Sequence, residues 1–249
     1  MSKKYKYVVF DFDGVVCDST NECMVTAWNS WERFNMRKGF RLKVNDFNKN
    51  EIKKFRDLRP YVRGASEYYV LMNSIESKIN IKDQRDFDDL KNRWKKNFRN
   101  FKTIFFEQRE KLRSNNLNYW IDLHFIYQDV IKEMKKLYNE KRLLIATLKD
   151  KKSVMLILKE FGISINPEDI LDQGKITTKL EALDYFVLTK KILKEDLCFI
   201  DDNITHLIEP HKNDYKVFLS GWGATLIEHK NKARKHKIRI LESINEEIY

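Results

Sequence analysis

Cysteine, glycine and proline are scarce in this chain of 249 residues, with three, seven and three copies. The cysteines, Cys17, Cys23 and Cys198, are odd in number and show no CxxC spacing. That excludes a disulfide framework and gives no sign of a zinc site. Few glycines and prolines, with abundant lysine, asparagine and isoleucine, match a codon bias toward A and T. They leave no Gly/Ser-rich linker, and no repeat or low-complexity segment stands out. Long apolar runs are also missing. After Lys3 and Lys4 the first apolar stretch is Val8-Val9-Phe10, cut off by Asp11, so no secretory leader is expected. Nothing approaches the roughly 20 apolar residues of a bilayer span. The expectation is a soluble cytoplasmic protein with no membrane partner.

What is present argues for a folded chain: 42% of residues are hydrophobic and 13% aromatic, well above a disordered composition. The formal charge of +11 would suit an anionic partner, and the run from His229 to Arg239, "HKNKARKHKIR", is its best patch. The basic residues elsewhere are interspersed with acidic ones, so a nucleic-acid partner is not expected.

Short β-branched and aromatic runs predict strands at Tyr5–Phe10, Arg142–Thr147, Leu197–Asp201 and Tyr215–Ser220, with a weaker one at Ile238–Leu241. Between them lie helical stripes: Phe125, Ile126, Val130, Met134 and Leu137, then Val154, Ile157, Leu158 and Phe161, with Gly162 as a stop. Strands alternating with helices from about residue 120 onward predict an α/β fold with a doubly wound, mostly parallel, Rossmann-like sheet. Residues 19–118 read differently, as almost wholly helical. Leu90, Trp94, Phe98, Phe101 and Phe105 step by helical spacing and describe one buried face, a packing stripe rather than a base-stacking surface. Two units are expected, 1–18 with 119–249 and 19–118, joined by short hinges near 18–21 and 117–122.

The polar signals gather at strand ends. Asp11 and Asp13 follow the first strand, with Gly14 behind them; Thr147 ends the second, and Asp201 and Asp202 end the third. Lys179 opens the helix between those two. Two like charges one residue apart are costly unless something cationic neutralises them. In open α/β sheets the carboxyl ends of the strands form the ligand crevice. A metal or a phosphate-handling site is the consistent reading, although a lone DxD pair would be weak evidence, since Asp is a common turn former.

The segments "VVFDFDGVV", "LLIAT", "TTKLEAL" and "LCFIDDN" resemble the haloacid dehalogenase superfamily of phosphohydrolases, with a helical cap inserted after the first motif. "SGWGAT", Ser220 to Thr225, is similar to a Trp-Gly segment common late in such proteins. The resemblance implies a Mg²⁺-dependent phosphoric monoester hydrolase working through an aspartyl-phosphate. It casts Asp11 as nucleophile and Asp13 as general acid and base. Asp11, the Asp13 carbonyl and Asp201 or Asp202 become metal ligands. Amides around Phe12 and Gly14, the Leu148 amide, the Thr147 hydroxyl and Lys179 become phosphate-binding groups. Lys175 competes with Lys179 for the cationic role, and Asn203 is a candidate to orient one of the paired aspartates. Dehalogenases of the superfamily lack the second Asp, so phosphatase is favoured; a phosphomutase, a nucleotide or nucleic-acid phosphatase and a non-catalytic ligand-binding relative stay open. The implied substrate is a small phosphorylated metabolite such as a sugar or polyol phosphate. Some relatives serve surface-polysaccharide pathways. In the helical insertion Arg56, Arg59 and Arg63 are candidates for substrate selection, against the plainer reading of ordinary surface ion pairs.

Overall fold

The structure, a computed structural model, describes residues 5–223 and 225–244. Ala224 of the Trp-Gly segment, and positions 1–4 and 245–249 of the expected sheet unit, lie outside the described residues. Contacts divide the chain into two compact units, 1–18 with 126–249, and 19–125.

Along the chain, strand β1 (Tyr7–Phe10) is followed by helices α1 (Thr20–Phe34), α2 (Lys49–Leu58), α3 (Tyr68–Glu76), α4 (Gln84–Trp94), α5 (Phe98–Asn115) and α6 (Leu117–Asp122). Then come α7 (Gln128–Asn139), β2 (Leu143–Ala146), α8 (Lys151–Glu160), β3 (Ile170–Leu171), α9 (Lys179–Lys190), β4 (Leu197–Asp201), α10 (Ile204–Lys212), β5 (Lys216–Ser220), α11 (Ile227–Lys235) and β6 (Arg239–Leu241).

Among the described residues six strands form one parallel sheet in the order β3-β2-β1-β4-β5-β6, apart from the two-residue strands Cys17–Asp18 and Phe125–Ile126. The register sets Val9 opposite both Leu144 and Phe199. Val9, Leu144, Phe199, Leu183 and Phe186 are fully buried in one apolar cluster. Burial of both faces explains why the central strands read as continuous apolar runs without alternation. Chain order reverses at β1, whose neighbours β2 and β4 lead outward in opposite directions. A reversal of this kind is where doubly wound sheets open their ligand crevice.

The five strands expected from sequence all form, each within a residue or two of its expected start. The edge strand β3 escaped notice because two residues carry no readable period. Phe125 is a correction: it is exposed, and α7 begins only at Gln128.

The helical unit packs α1 against α5 and α3. The expected single helix through Leu90 and Phe105 is broken: α4 stops at Trp94, a 3₁₀ turn spans Lys95–Asn97, and α5 restarts at Phe98. The aromatic stripe still points inward. Tyr69 sits among Trp31, Phe34 and Phe101 at ring-centroid distances of 5.3, 5.3 and 5.6 Å, within the range of favourable edge-to-face pairs. The stretch 117–122, expected as a hinge, is helix α6, whose N-terminus is capped by Asn116 accepting from the Tyr119 N–H at 2.9 Å. This helix packs on α5, and the division between units falls after Phe125.

Candidate active site

The ladder of β1 runs on into Asp11, whose backbone N–H donates to the Ile200 carbonyl at 2.9 Å. The Asp11 side chain is therefore fixed at the strand end. The chain then folds tightly: Gly14 donates to the Cys17 carbonyl at 2.7 Å and Val16 to the Phe12 carbonyl at 2.8 Å. Gly14 has φ +87°, and a Cβ built on it would lie 1.9 Å from Asp202 Oδ2. Both the backbone conformation and the close approach of Asp202 demand glycine here.

Lys179 occupies the first position of α9, and a capping box holds it there. The Thr178 hydroxyl accepts from the Glu181 N–H at 3.2 Å, and Glu181 Oε2 accepts from the Thr178 N–H at 3.1 Å, satisfying two end donors reciprocally. Lys179 Nζ donates to Asp11 Oδ1 at 2.8 Å and to the Ala146 carbonyl at 2.6 Å, and it lies 3.3 Å from Asp201 Oδ2. Lys175 is exposed. Of the two competing lysines, the one at the helix start meets the aspartates.

Asp201 is completely buried at the end of β4. It accepts from the Asn203 backbone N–H at 2.8 Å and pairs with His206 Nδ1 at 3.1 Å. The Asn203 side chain is engaged otherwise, capping α10 by accepting from the Thr205 N–H at 3.0 Å. Asp202 lies against Gly14, with its Oδ2 1.9 Å from where a Cβ of that residue would stand. The two neighbouring aspartates thus meet different surroundings.

Thr147 receives the Lys149 backbone N–H on its hydroxyl oxygen at 3.1 Å, which leaves the hydroxyl hydrogen available to a ligand. Its own N–H donates to the Leu171 carbonyl at 2.9 Å. Leu148 is half-buried beside it. Lys149 is the residue sequence reasoning missed: its side chain is fully buried and Nζ donates to Asp13 Oδ1 at 3.1 Å. It stands just before Asp150, which caps α8 by accepting from the Ser153 N–H at 2.9 Å, a place that does not mark a lysine for burial. His206 was missed too; it sits in the first turn of the helix capped by Asn203. The Trp-Gly segment closes the cluster, with Trp222 Nε1 donating to the Val15 carbonyl at 3.0 Å. A Cβ on Gly223 would come within 2.3 Å of the Gly14 carbonyl oxygen.

Burial shapes the charges. It raises the Asp11 carboxyl above the ordinary carboxylate range, aided by the Asp201 charge and opposed by Lys179 and His206. Asp201 is equally buried, but the His206 and Lys179 charges and the hydrogen bonds from His206 and Asn203 win, holding it at about 2. Burial works against the Lys179 ammonium, yet the two aspartates outweigh it and raise its pKa. Ligand atoms of Asp11, Asp201 and His206 all lie within 4.8 Å of one another, an acidic group that could hold a metal ion.

Arg56, Arg59 and Arg63 belong to the helical unit and have partners inside it. Arg56 donates to Asn21 Oδ1 at 2.8 Å, Arg59 to the Val62 carbonyl at 3.3 Å, and Arg63 to Asp88 Oδ2 at 2.7 Å.

Residues 5–208 match the model of the haloacid dehalogenase-like hydrolases. The chain belongs to this hydrolase family. Comparison with curated proteins gave no match. Among solved structures, the hydrolase fold is similar to a predicted phosphoglycolate phosphatase from Haemophilus somnus, with TM-score 0.63 and 15% identity over 98% of this chain and 96% of that one. A predicted phosphatase from Clostridium acetobutylicum gives TM-score 0.60 and 16% identity over 97% and 95%. A hydrolase from Pseudomonas syringae gives 0.60 and 12% over 95% and 93%. At these identities the likeness bears on fold, and the chemistry must come from the site.

Proposed function

We propose that this hydrolase is a phosphoric monoester hydrolase that cleaves a small phosphorylated metabolite through a phospho-enzyme formed on Asp11. The observation that carries the reading is the pairing of two buried aspartates from adjacent strand ends, Asp11 and Asp201, around one lysine. An uncompensated carboxylate cluster would be expelled from a core, whereas a site for dianionic phosphate needs a nucleophile surrounded by cations.

The donor set fits Mg²⁺, a hard ion that takes carboxylate oxygens together with water and substrate phosphate. Asp11 and Asp201 would hold it, with the Asp13 carbonyl, and Asp202, lying against the neighbouring Gly14, is the other candidate of the pair. When bound, the ion supplies positive charge that offsets repulsion between carboxylate and phosphate.

The residues of the chain do the rest. Lys179 and the Thr147 hydroxyl bind phosphate oxygens, with the amides of Phe12, Asp13 and Leu148; the Gly14 amide, expected to join them, is instead spent on the Cys17 carbonyl at 2.7 Å. An Asp11 oxygen attacks phosphorus as the ester P–O bond breaks, and the departing oxygen takes the proton held by Asp13. Asp13, now ionised, takes a proton from water; the resulting hydroxide attacks phosphorus and releases Asp11 and inorganic phosphate. Lys149, bonded to Asp13, fixes the direction in which that carboxyl points. The helical unit is read as the family's substrate-selecting cap.

The test is phosphate release from a panel of sugar, polyol and amino-alcohol phosphates and nucleotides, with Mg²⁺ and after chelation. Turnover of a small phosphate that EDTA abolishes and Mg²⁺ restores is the expected result. Undiminished turnover after exhaustive chelation would remove the metal from the reading, and no release from any ester would leave a binding protein.

A further inference from the structure

The segment 33–45 carries five basic residues, Arg33, Arg37, Lys38, Arg41 and Lys43, and no acidic one. Interleaved with them are three large apolar side chains that stay in water: Met36 is 92% exposed, Phe40 46% and Leu42 57%. Such residues on a mobile tail would mean little. This loop is held. Trp28 Nε1 donates to the Gly39 carbonyl at 2.9 Å, and the Gly39 N–H donates to Glu32 at 2.8 Å. Asn29 and the Arg41 backbone exchange two bonds at 2.7 and 2.8 Å. The Arg41 guanidinium, bound to Glu51 at 2.8 and 3.1 Å, lies 3.7 Å over the Trp28 ring. Helix α1 and its neighbours thus commit polar groups to a loop whose apolar tips remain outside.

We propose that this loop is an interfacial anchor that docks on an anionic lipid bilayer. A rigid tip of Met, Phe and Leu flanked by lysine and arginine matches the boundary between headgroup and acyl chain, where apolar side chains leave water and cations meet acidic headgroups. Arg33, Lys38 and Lys43 are exposed and available for those headgroups. A phosphate backbone would satisfy the cations but leave Met36 and Leu42 in water. Arg37 and Arg41 are already paired with Glu76 and Glu51, and a second copy would set Arg33, Lys38 and Lys43 against the same three cations. None of the described helices is long and apolar enough to cross a membrane, and a loop of this kind needs no span.

The experiment is sedimentation of the full chain with vesicles of phosphatidylcholine alone and of phosphatidylcholine mixed with phosphatidylserine. A chain of charge +11 would adhere weakly to acidic vesicles anyway, so the deciding variant leaves charge untouched: Met36→Asn, Phe40→Ser and Leu42→Ser together. Asn suits position 36, where φ is +57°. The parent should bind the acidic vesicles, and this variant should partition about tenfold less or weaker, with an unchanged melting temperature. Lys38→Glu with Lys43→Glu, made in the otherwise unchanged chain, should lose roughly fivefold or more per cation removed. No binding by the parent, equal binding to neutral vesicles, or equal binding by the apolar variant would each overturn the proposal. So would a dimer that the apolar variant dissolves while vesicle binding stays absent.

Discussion

Lys179 Nζ stands 2.8 Å from Asp11 Oδ1 and 3.3 Å from Asp201 Oδ2, so one buried ammonium serves two buried carboxylates. Lys179→Met removes it and leaves like charges facing each other. Breaking a buried pair in this way typically costs about 3–5 kcal/mol. The variant should melt well below the parent at neutral pH and lose phosphatase activity. Without the ammonium the Asp11 pKa rises further, and a group whose folded pKa is raised favours the folded state as pH falls through it. The gap in melting temperature between variant and parent should therefore narrow on acidification. A gap independent of pH would show that the carboxylates are not the source of the loss.

Asp13→Asn tests the acid–base assignment. The amide keeps the shape but carries no transferable proton, a loss typically worth about 10²–10⁴-fold. An aryl phosphate, whose leaving group departs without protonation, should suffer least and an alkyl phosphate most. Equal losses on both would give Asp13 another role, such as holding Lys149.

Much of this site could be read from sequence because each participant sits where a strand ends or a helix begins. Asp11, Thr147 and Asp201 terminate apolar runs, and Lys179 opens a periodic stripe behind a Thr/Glu capping pair. Lys149 could not be read the same way. A lysine is exposed by default, and its burial follows from Asp13, 136 residues away. The split of Asp201 and Asp202 was likewise hidden, because it depends on how closely Gly14 lets Asp202 approach. In the helical unit the aromatic spacing revealed the buried face, but not the 3₁₀ turn at Lys95–Asn97, since helical phase survives so short a break.

At high pH the sheet unit should lose stability through tyrosine. Burial, with the hydrogen bond to Asp184, pushes the Tyr215 hydroxyl well above its ordinary value of 10, and burial pushes Tyr5 up to about 12. A raised folded pKa means this stability is whole below pH 10 and lost as pH rises toward the folded values. Tyr215→Phe should give up the Asp184 bond, melting lower at pH 8, and show a shallower decline between pH 10 and 12. A decline as steep as the parent's would place the alkaline limb elsewhere.

Acid quenching during turnover with a labelled phosphate ester would trap a covalent phosphate on Asp11. Borohydride reduction of the trapped acyl phosphate, followed by peptide mass spectrometry, reads out the position. The expected result is label in the parent, reduction at Asp11 alone, and no label or turnover in folded Asp11→Asn on any ester. Label at another residue, or Asp11→Asn turning over at a rate near the parent's, would contradict it.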